Sequence, residues 1–164
     1  MIAAVGVHSG LAAGAASDLP SAFAAMQQGG GGVAADPRSG YAPGREQRRT
    51  VPTIVFHGDQ DTTVNPRNGD QVIAQARATA AGLQATATVQ QGQAPGGRAY
   101  RRTLHADAGG RVILEQWLVH GAGHAWSGGS PTGSYTDPQG PDAAREMLRF
   151  FLEHPHPIAG QPAH

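Results

Sequence analysis

Two short apolar runs are each followed at once by polar residues. The first is Ile2 to Val7, which precedes His8-Ser9-Gly10, and the second is Pro52 to Gly58, which precedes the polar turn Asp59 to Val64. Apolar runs of this length without alternation are typical of strands that are buried on both faces of a parallel sheet. The pattern therefore predicts two buried strands, each ending in a polar loop.

Two further runs predict a β-hairpin. Tyr100 to His105 and Val112 to Val119 are rich in strand-forming residues and are separated by Ala106 to Gly110. That connection ends in two glycines, which adopt the positive φ values that hairpin loops require. The second strand leads into His120 to Gly129, a segment too rich in glycine to form a helix.

Three segments carry the signals of helix starts and of apolar faces. The predicted helices are Leu19 to Gln28, capped by Asp18; a helix from the N-cap Asn65, with Pro66 at its first position, to about Ala80; and Pro141 to Leu152, with Pro141 at its first position. Their expected apolar positions are Val72, Ile73 and Ala76 in the second helix and Ala144, Met147, Leu148 and Phe151 in the third. The residues from Asp36 to Thr50 are predicted to form a loop.

Strand, polar loop and helix make half of a βαβ unit, so the fold class we expect is α/β. It should contain two or three parallel strands, a hairpin strand and flanking helices. The chain has 164 residues, of which 39% are hydrophobic and 15% charged. This apolar content is enough for one modest core, so we expect a single domain over residues 1–164.

Composition and charge argue against several classes of partner. Twelve acidic and twelve basic residues give a formal net charge of zero, which leaves no basic surface for phosphate binding, and we expect no nucleic-acid partner. No run approaches the roughly 18 consecutive apolar residues of a membrane span. The chain contains no cysteine, which excludes disulfides, cysteine-ligated zinc and a thiol nucleophile.

The candidate chemistry lies in the loops that follow the predicted strands. These loops contain Ser9, Asp61 and His124, and the carboxyl ends of parallel strands are where α/β folds gather functional groups. An acid followed about sixty residues later by a histidine matches the order of the α/β-hydrolase triad. In that triad a carboxylate orients an imidazole, which removes the proton from a serine hydroxyl.

Three segments carry a family resemblance: Thr53 to Val64, Trp117 to Gly129 with its Gly123-His124-Ala125-Trp126 core, and the closing helix Arg145 to His154. They resemble the C-terminal half of poly(3-hydroxybutyrate) depolymerase-type esterases. The opening segment Ala3 to Leu11 resembles the strand that follows the nucleophile helix in that family.

The resemblance implies the C-terminal part of an α/β-hydrolase fold, with a partial, mostly parallel sheet. It also implies Asp61 as the triad acid and His124 as the base of a serine hydrolase. Such enzymes cleave polyesters or short acyl and aryl esters without a cofactor, and they are usually secreted. The first residues of this chain carry no signal-peptide pattern, so the sequence itself leaves the localisation open.

The sequence contains no serine in the pattern of a nucleophile elbow. A nucleophile elbow has glycine two residues before and two residues after the serine, and none of the seven serines meets this condition. We therefore expect a truncated hydrolase domain whose elbow lies upstream, with two of the three triad members in this chain. A partial sheet would expose a strand edge, which could pair with a second copy to form a homo-oligomer or with an N-terminal partner.

Each candidate residue also has a plainer interpretation. Asp61 could simply form the turn, and Asp59 is an alternative acid. His120 and His124 have the i,i+4 spacing of a metal pair, but the glycines between them argue against the helix such a pair needs, so we expect no metal. Trp126 is either a packing residue or part of the wall of an acyl pocket that binds substrate. Ser9 is either a polar loop residue or a substitute nucleophile.

Two functions remain open at this point. The first is carboxylic-ester hydrolysis of a small-molecule or polymeric ester, with Asp61 orienting His124. The second is a catalytically silent, truncated remnant that binds ester-like ligands or complements a partner fragment. Labelling of a serine by a fluorophosphonate would favour the first, and its absence would favour the second.

Overall fold

A computed structural model describes residues 3–29, 50–80 and 82–155, which adopt a mixed α/β architecture. The five strands of the main sheet are β1 (Val5–His8), β2 (Thr53–Gly58), β3 (Thr88–Gln93), β4 (Ala99–Ala106) and β5 (Val112–Val119). A separate pair is formed by β6 (Trp126–Ser127) and β7 (Thr136–Asp137). The helices of the described ranges are α1 (Leu19–Gln28), α2 (Arg67–Thr79) and α3 (Ala143–Glu153).

The main sheet has the order β1-β2-β5-β4-β3. Its first three strands run parallel, and β4 and β3 are added antiparallel to β5. The predicted α/β class, with three parallel strands and a hairpin strand, is thereby confirmed. Strand β3 was not predicted, because five of its six residues are exposed and its sequence TVQQGQ shows neither an apolar run nor alternation.

Strand β2 lies at the centre of the core and is buried at all six positions. Successive side chains of a strand point to opposite faces, so β2 contributes to an apolar cluster on each side of the sheet. On one side Ile54 and Phe56 pack with Trp117 and with Met147 and Phe150 of α3. On the other, Val55 packs with Leu114 and with Ile73, Val72 and Ala76 of α2. The predicted apolar face of the second helix is confirmed.

Helix α1 has the predicted bounds and the predicted cap, since a side-chain oxygen of Asp18 accepts a hydrogen bond from Ser21 N at 2.8 Å. Helix α2 begins at Arg67, one residue after the predicted first position. The predicted N-cap Asn65 was wrong, because Pro66 is the N-cap and has no side-chain cap bond. Asn65 precedes it and accepts a hydrogen bond from Arg67 N on its Oδ1 at 3.0 Å.

The closing helix differs from the prediction in its start and in its buried face. Asp142 is the N-cap and accepts a hydrogen bond from Arg145 N, so Pro141 precedes the helix rather than opening it. The buried residues are Ala143, Met147 and Phe150, which follow one another at i, i+4 and i+7. The predicted face was wrong except at Met147, because the stripe that packs on the sheet starts one residue earlier, at Ala143. Ala144 and Leu148 are exposed, while the partly exposed Phe151 has its ring close to Gly6 of β1.

Strand β1 forms one end of the sheet in the described ranges, where it pairs with β2 alone. The sequence predicts an exposed strand edge, and β1 is a terminal strand of the described sheet; that this edge is exposed and pairs with a second copy stays a prediction. The predicted loop from Asp36 to Thr50 lies outside the described residues, apart from Thr50 itself. Ile2, at the start of the first predicted strand, also lies outside them. No helix in the described ranges is long and apolar enough to cross a bilayer.

Candidate acid–base site

The polar loops after β2 and β5 begin side by side, because these strands are parallel neighbours and their last residues, Gly58 and Val119, are partners. Gly58 lets the loops approach closely: a Cβ at this position would lie 2.3 Å from the carbonyl oxygen of Ala122. Any larger residue would push the two loops apart. The glycine therefore helps bring Asp61 of the first loop to His124 of the second.

Asp61 is buried and its carboxylate accepts several hydrogen bonds. Oδ1 accepts from the backbone N–H of Thr63 at 3.0 Å and from that of Val64 at 2.8 Å. Burial by itself raises the pKa of Asp61, but the Val64 amide, the His124 imidazole and the Thr63 amide more than offset it, so the pKa lies below its usual value. Asp61 is thus a charged acceptor at neutral pH.

His124 completes the pair. Its Nδ1 lies 2.9 Å from Asp61 Oδ2, and because an ionised carboxylate only accepts hydrogen bonds, Nδ1 is the donor. In the neutral ring this places the proton on Nδ1 and leaves Nε2 as the basic nitrogen. The His124 side chain is 38% exposed whereas that of Asp61 is fully buried. The structure therefore brings together a buried carboxylate and an accessible imidazole.

A second Asp–His pair joins the same two loops. His120 Nδ1 lies 2.8 Å from Asp59 Oδ2, and Asp59 Oδ1 accepts a hydrogen bond from Gly121 N at 2.7 Å. Asp59 therefore serves His120, not His124. Because His120 and His124 bind different carboxylates, they do not converge on one ion, and no group of three His, Cys, Asp or Glu in the described ranges could hold a metal.

A cavity of about 370 Å³ lies beside His124. Its walls are formed by six residues, His8, Ser9, His124, Ala125, Trp126 and Tyr135. Trp126 is therefore a wall residue, 39% exposed, rather than a residue of the core. The Oγ atom of the neighbouring Ser127 is buried and donates to the carbonyl oxygen of Pro141 at 2.6 Å, so this hydroxyl is already engaged.

His8 forms an uncharged, aromatic part of the wall. Its ring stacks on Trp126 at 4.7 Å and on Phe56 at 6.0 Å between centroids. Burial lowers the pKa of His8 to about 4; the positive charges of His57 and His124 act in the same direction, and Asp61 opposes them. His8 is therefore neutral near pH 7, and the cavity suits an uncharged ligand.

Two cavity residues have a strained backbone. Ser9, with φ 48°, and Tyr135, with φ 57°, are the non-glycine residues of the described ranges with positive φ, and both line the cavity. Such strain often concentrates at functional sites. The Ser9 hydroxyl oxygen is buried and has no hydrogen-bond partner among the described residues.

Comparison with models of known protein families and with curated proteins finds no match for this chain. An imidazole held by a buried carboxylate can take up and return a proton, and the adjoining cavity can hold an uncharged group.

Sequence reasoning missed three residues of this site. His8 was assigned to the polar loop after the first predicted strand and His57 to the second predicted strand, while Tyr135 lies in a segment rich in Pro, Gly and Asp. The available signal was a histidine at the carboxyl end of each buried strand, where functional groups gather.

Proposed function

We propose that this chain carries the acid–base part of a serine-type carboxylic-ester hydrolase with an α/β-hydrolase fold. The observation that carries the proposal is the 2.9 Å hydrogen bond from His124 to buried Asp61, at the carboxyl ends of neighbouring parallel strands. The resemblance to poly(3-hydroxybutyrate) depolymerase-type esterases supports polyesters or short acyl and aryl esters as substrates. The uncharged wall formed by His8 and Trp126 also favours a neutral ester.

In this reaction His124 Nε2 removes the proton from a serine hydroxyl as the serine oxygen attacks the ester carbonyl carbon. The tetrahedral intermediate collapses when His124 returns that proton to the departing alcohol. Water then attacks the acyl-serine through the same base, which releases the carboxylic acid and restores the serine. Asp61 stabilises the imidazolium that forms in both steps, and Trp126 lines the side of the cavity where the ester group would bind.

The nucleophile is the part that this sequence does not supply in the usual form. Among the serines near the site, Ser127 donates its hydroxyl to Pro141, while the Ser9 hydroxyl has no hydrogen-bond partner in the part of the chain that the structure describes, but Ser9 lacks the flanking glycines of an elbow. Since triad members act as a unit, loss of the serine leaves only background catalysis. We therefore expect a low rate from this chain by itself.

The test is to treat the chain with a fluorophosphonate and to locate any adduct by mass spectrometry, in parallel with hydrolysis of p-nitrophenyl acetate and butyrate. We expect only slow labelling, which is lost in His124→Gln and kept in His120→Gln. The second variant is the matched control, because His120 belongs to the neighbouring pair on the same loop. Labelling that survives His124→Gln would overturn the assignment of His124 as the base.

The second candidate function is ligand binding by a catalytically silent remnant. It is favoured by a specific observation: the cavity is formed although no serine of the chain lies in an elbow. Trp126 borders the cavity and is partly exposed, whereas Trp117 is 4% exposed. Quenching of Trp126 fluorescence by phenyl acetate, without labelling or turnover, would favour binding over catalysis.

A further inference from the structure

A second histidine lies beside the Asp61 carboxylate. His57 of β2 is 1% exposed, and its Nε2 lies 2.8 Å from the Val64 carbonyl oxygen and 3.4 Å from Asp61 Oδ2. A carbonyl oxygen only accepts hydrogen bonds, so Nε2 of His57 carries a proton and donates it. His57 therefore presents an N–H group to the turn that holds Asp61.

Val64 connects His57 to the carboxylate. Its N–H donates to Asp61 Oδ1 at 2.8 Å while its carbonyl oxygen accepts from His57. The N–H of Asn65, which belongs to the same peptide group as that carbonyl, donates to the Met26 carbonyl oxygen at 2.6 Å. The turn is thus held from two sides, and the position of the Asp61 carboxylate depends on the bond that His57 makes.

The His57 ring is itself tightly confined. A Cβ at Gly69 of α2 would lie 3.1 Å from its Nδ1, so the helix packs directly against the ring. Nδ1 is buried and has no hydrogen-bond partner among the described residues. A buried polar atom without a partner is unfavourable, so an apolar side chain would be the more stable choice if only packing mattered. An apolar side chain could not donate the hydrogen bond that Nε2–H of His57 makes to the Val64 carbonyl oxygen.

We infer that His57 is a positioning residue of the acid–base pair. By holding the Val64 carbonyl oxygen, it keeps the turn in the geometry in which Asp61 Oδ2 meets Nδ1 of His124. The catalytic meaning of this arrangement rests on the proposed function. The arrangement itself is measurable without any ester turnover.

The experiment compares the wild-type chain with His57→Phe, which keeps a ring but cannot donate, and with His57→Gln, whose amide N–H can replace Nε2–H. Proton NMR of the ¹⁵N-labelled proteins follows the Nδ1–H resonance of His124, assigned by its loss in His124→Gln. We expect exchange of this proton with water to be about tenfold faster in His57→Phe and close to wild type in His57→Gln.

The matched control is His105→Gln, which removes another buried histidine of the same sheet. His105 pairs with Leu114, the partner of Thr53 at the start of β2, whereas Asp61 follows the end of that strand. We expect this variant to be destabilised while the His124 proton exchanges as in wild type. Unchanged exchange in folded His57→Phe, or equal loss of protection in both His57 variants, would overturn the inference.

A measurement on the wild-type chain keeps the inference testable if His57→Phe does not fold. The ¹⁵N chemical shifts of His57 must show the tautomer with the proton on Nε2, and the opposite tautomer would overturn the inference. Neither result depends on a nucleophile. Failure of fluorophosphonate labelling would therefore count against the hydrolase proposal and leave the positioning of Asp61 by His57 untouched.

Discussion

The backbone N–H of Ser127 donates a hydrogen bond to Nε2 of His8, with 2.9 Å between the nitrogens. This bond connects the end of β1 to β6, the short strand that follows His124, so the cavity wall depends on an unprotonated Nε2. Protonation of His8 would place a hydrogen where the Ser127 N–H now points. Two parts of the chain that are 119 residues apart are thus coupled to the charge of one ring.

The first prediction concerns stability against pH. Because the pKa of His8 is lowered from 6.5 to about 4 in the folded state, the unfolded chain binds this proton more tightly. The stabilisation that neutral His8 contributes to the free energy of unfolding is therefore fully present above pH 6.5. It is lost as the pH falls from 6.5 towards 4, and the loss is at most about 3 kcal/mol. Urea unfolding at several pH values in this window measures it.

The control for this prediction is His8→Asn, which cannot titrate. Burial and the positive charge of Arg77 also lower the pKa of His105, so His105 adds pH dependence of the same sign in both proteins. The difference between wild type and variant therefore isolates His8. Equal slopes of unfolding free energy against pH in the two proteins would contradict the prediction.

The second prediction concerns the acid. Asp61→Asn keeps the shape of the side chain but replaces an acceptor of the His124 Nδ1–H with a group that can present N–H. The imidazole then favours the other tautomer, and since this chain is expected to react only slowly, we expect ester hydrolysis or serine labelling to fall to the level of His124→Gln. Asp59→Asn, measured beside it, should change the rate less than tenfold. Equal losses in the two variants would remove the distinction between the pairs.

The fold was predictable where burial leaves a pattern in the sequence. Strand β2 is buried at every position, and its unbroken apolar run gave both its existence and its polar exit loop. Strand β3 is almost wholly exposed and is held by backbone bonds to β4, which leave no such pattern. The face of α3 was predicted wrongly because Leu148 is apolar yet 58% exposed, so the apolar positions of this helix do not coincide with its buried ones.

The site was predictable as far as it follows from strand ends. Asp61 and His124 each come shortly after a strand, and adjacent parallel strands bring such loops together. The sequence could not show which carboxylate pairs with which histidine, because Asp59 and Asp61 are only two residues apart. The supports of the site, His57 and His8, depend on contacts with Val64, Ser127 and Trp126, which no local pattern specifies.

The third prediction concerns the Asp59–His120 pair. Asp59→Ala removes the acceptor of the Gly121 N–H and the partner of His120. The hydrogen bond between His120 and Asp59 is partly exposed and contributes little by itself, while the backbone bond should contribute about 1 kcal/mol to the free energy of unfolding. His120→Ala, which removes only the pair, should lose clearly less. Urea unfolding of both variants makes the comparison, and a larger loss in His120→Ala would contradict it.

The fourth prediction concerns the strained serine. Ser9 combines a positive φ with a buried hydroxyl that has no partner in the described ranges. Ser9→Ala removes the hydroxyl but keeps a Cβ, which disfavours the left-handed backbone. Ser9→Gly removes both the hydroxyl and the Cβ, and with the Cβ the backbone strain. We expect Ser9→Gly to be more stable than Ser9→Ala by about 1 kcal/mol, since glycine adopts this φ without strain. Thermal and urea unfolding measure the difference.

If the cavity uses the Ser9 hydroxyl, stability and binding should change in opposite directions. Both Ser9 variants should then bind phenyl acetate more weakly than wild type, although Ser9→Gly unfolds at higher denaturant. Tyr135→Gly is the control for backbone strain in the unfolding experiment alone, because Tyr135 has the same kind of strain and its side chain is 82% exposed. It does not serve as a control for binding, since Tyr135 also lines the cavity. If Ser9→Gly is no more stable than Ser9→Ala, the left-handed backbone at this position stores no strain. The shape of the cavity would then not depend on strain at Ser9.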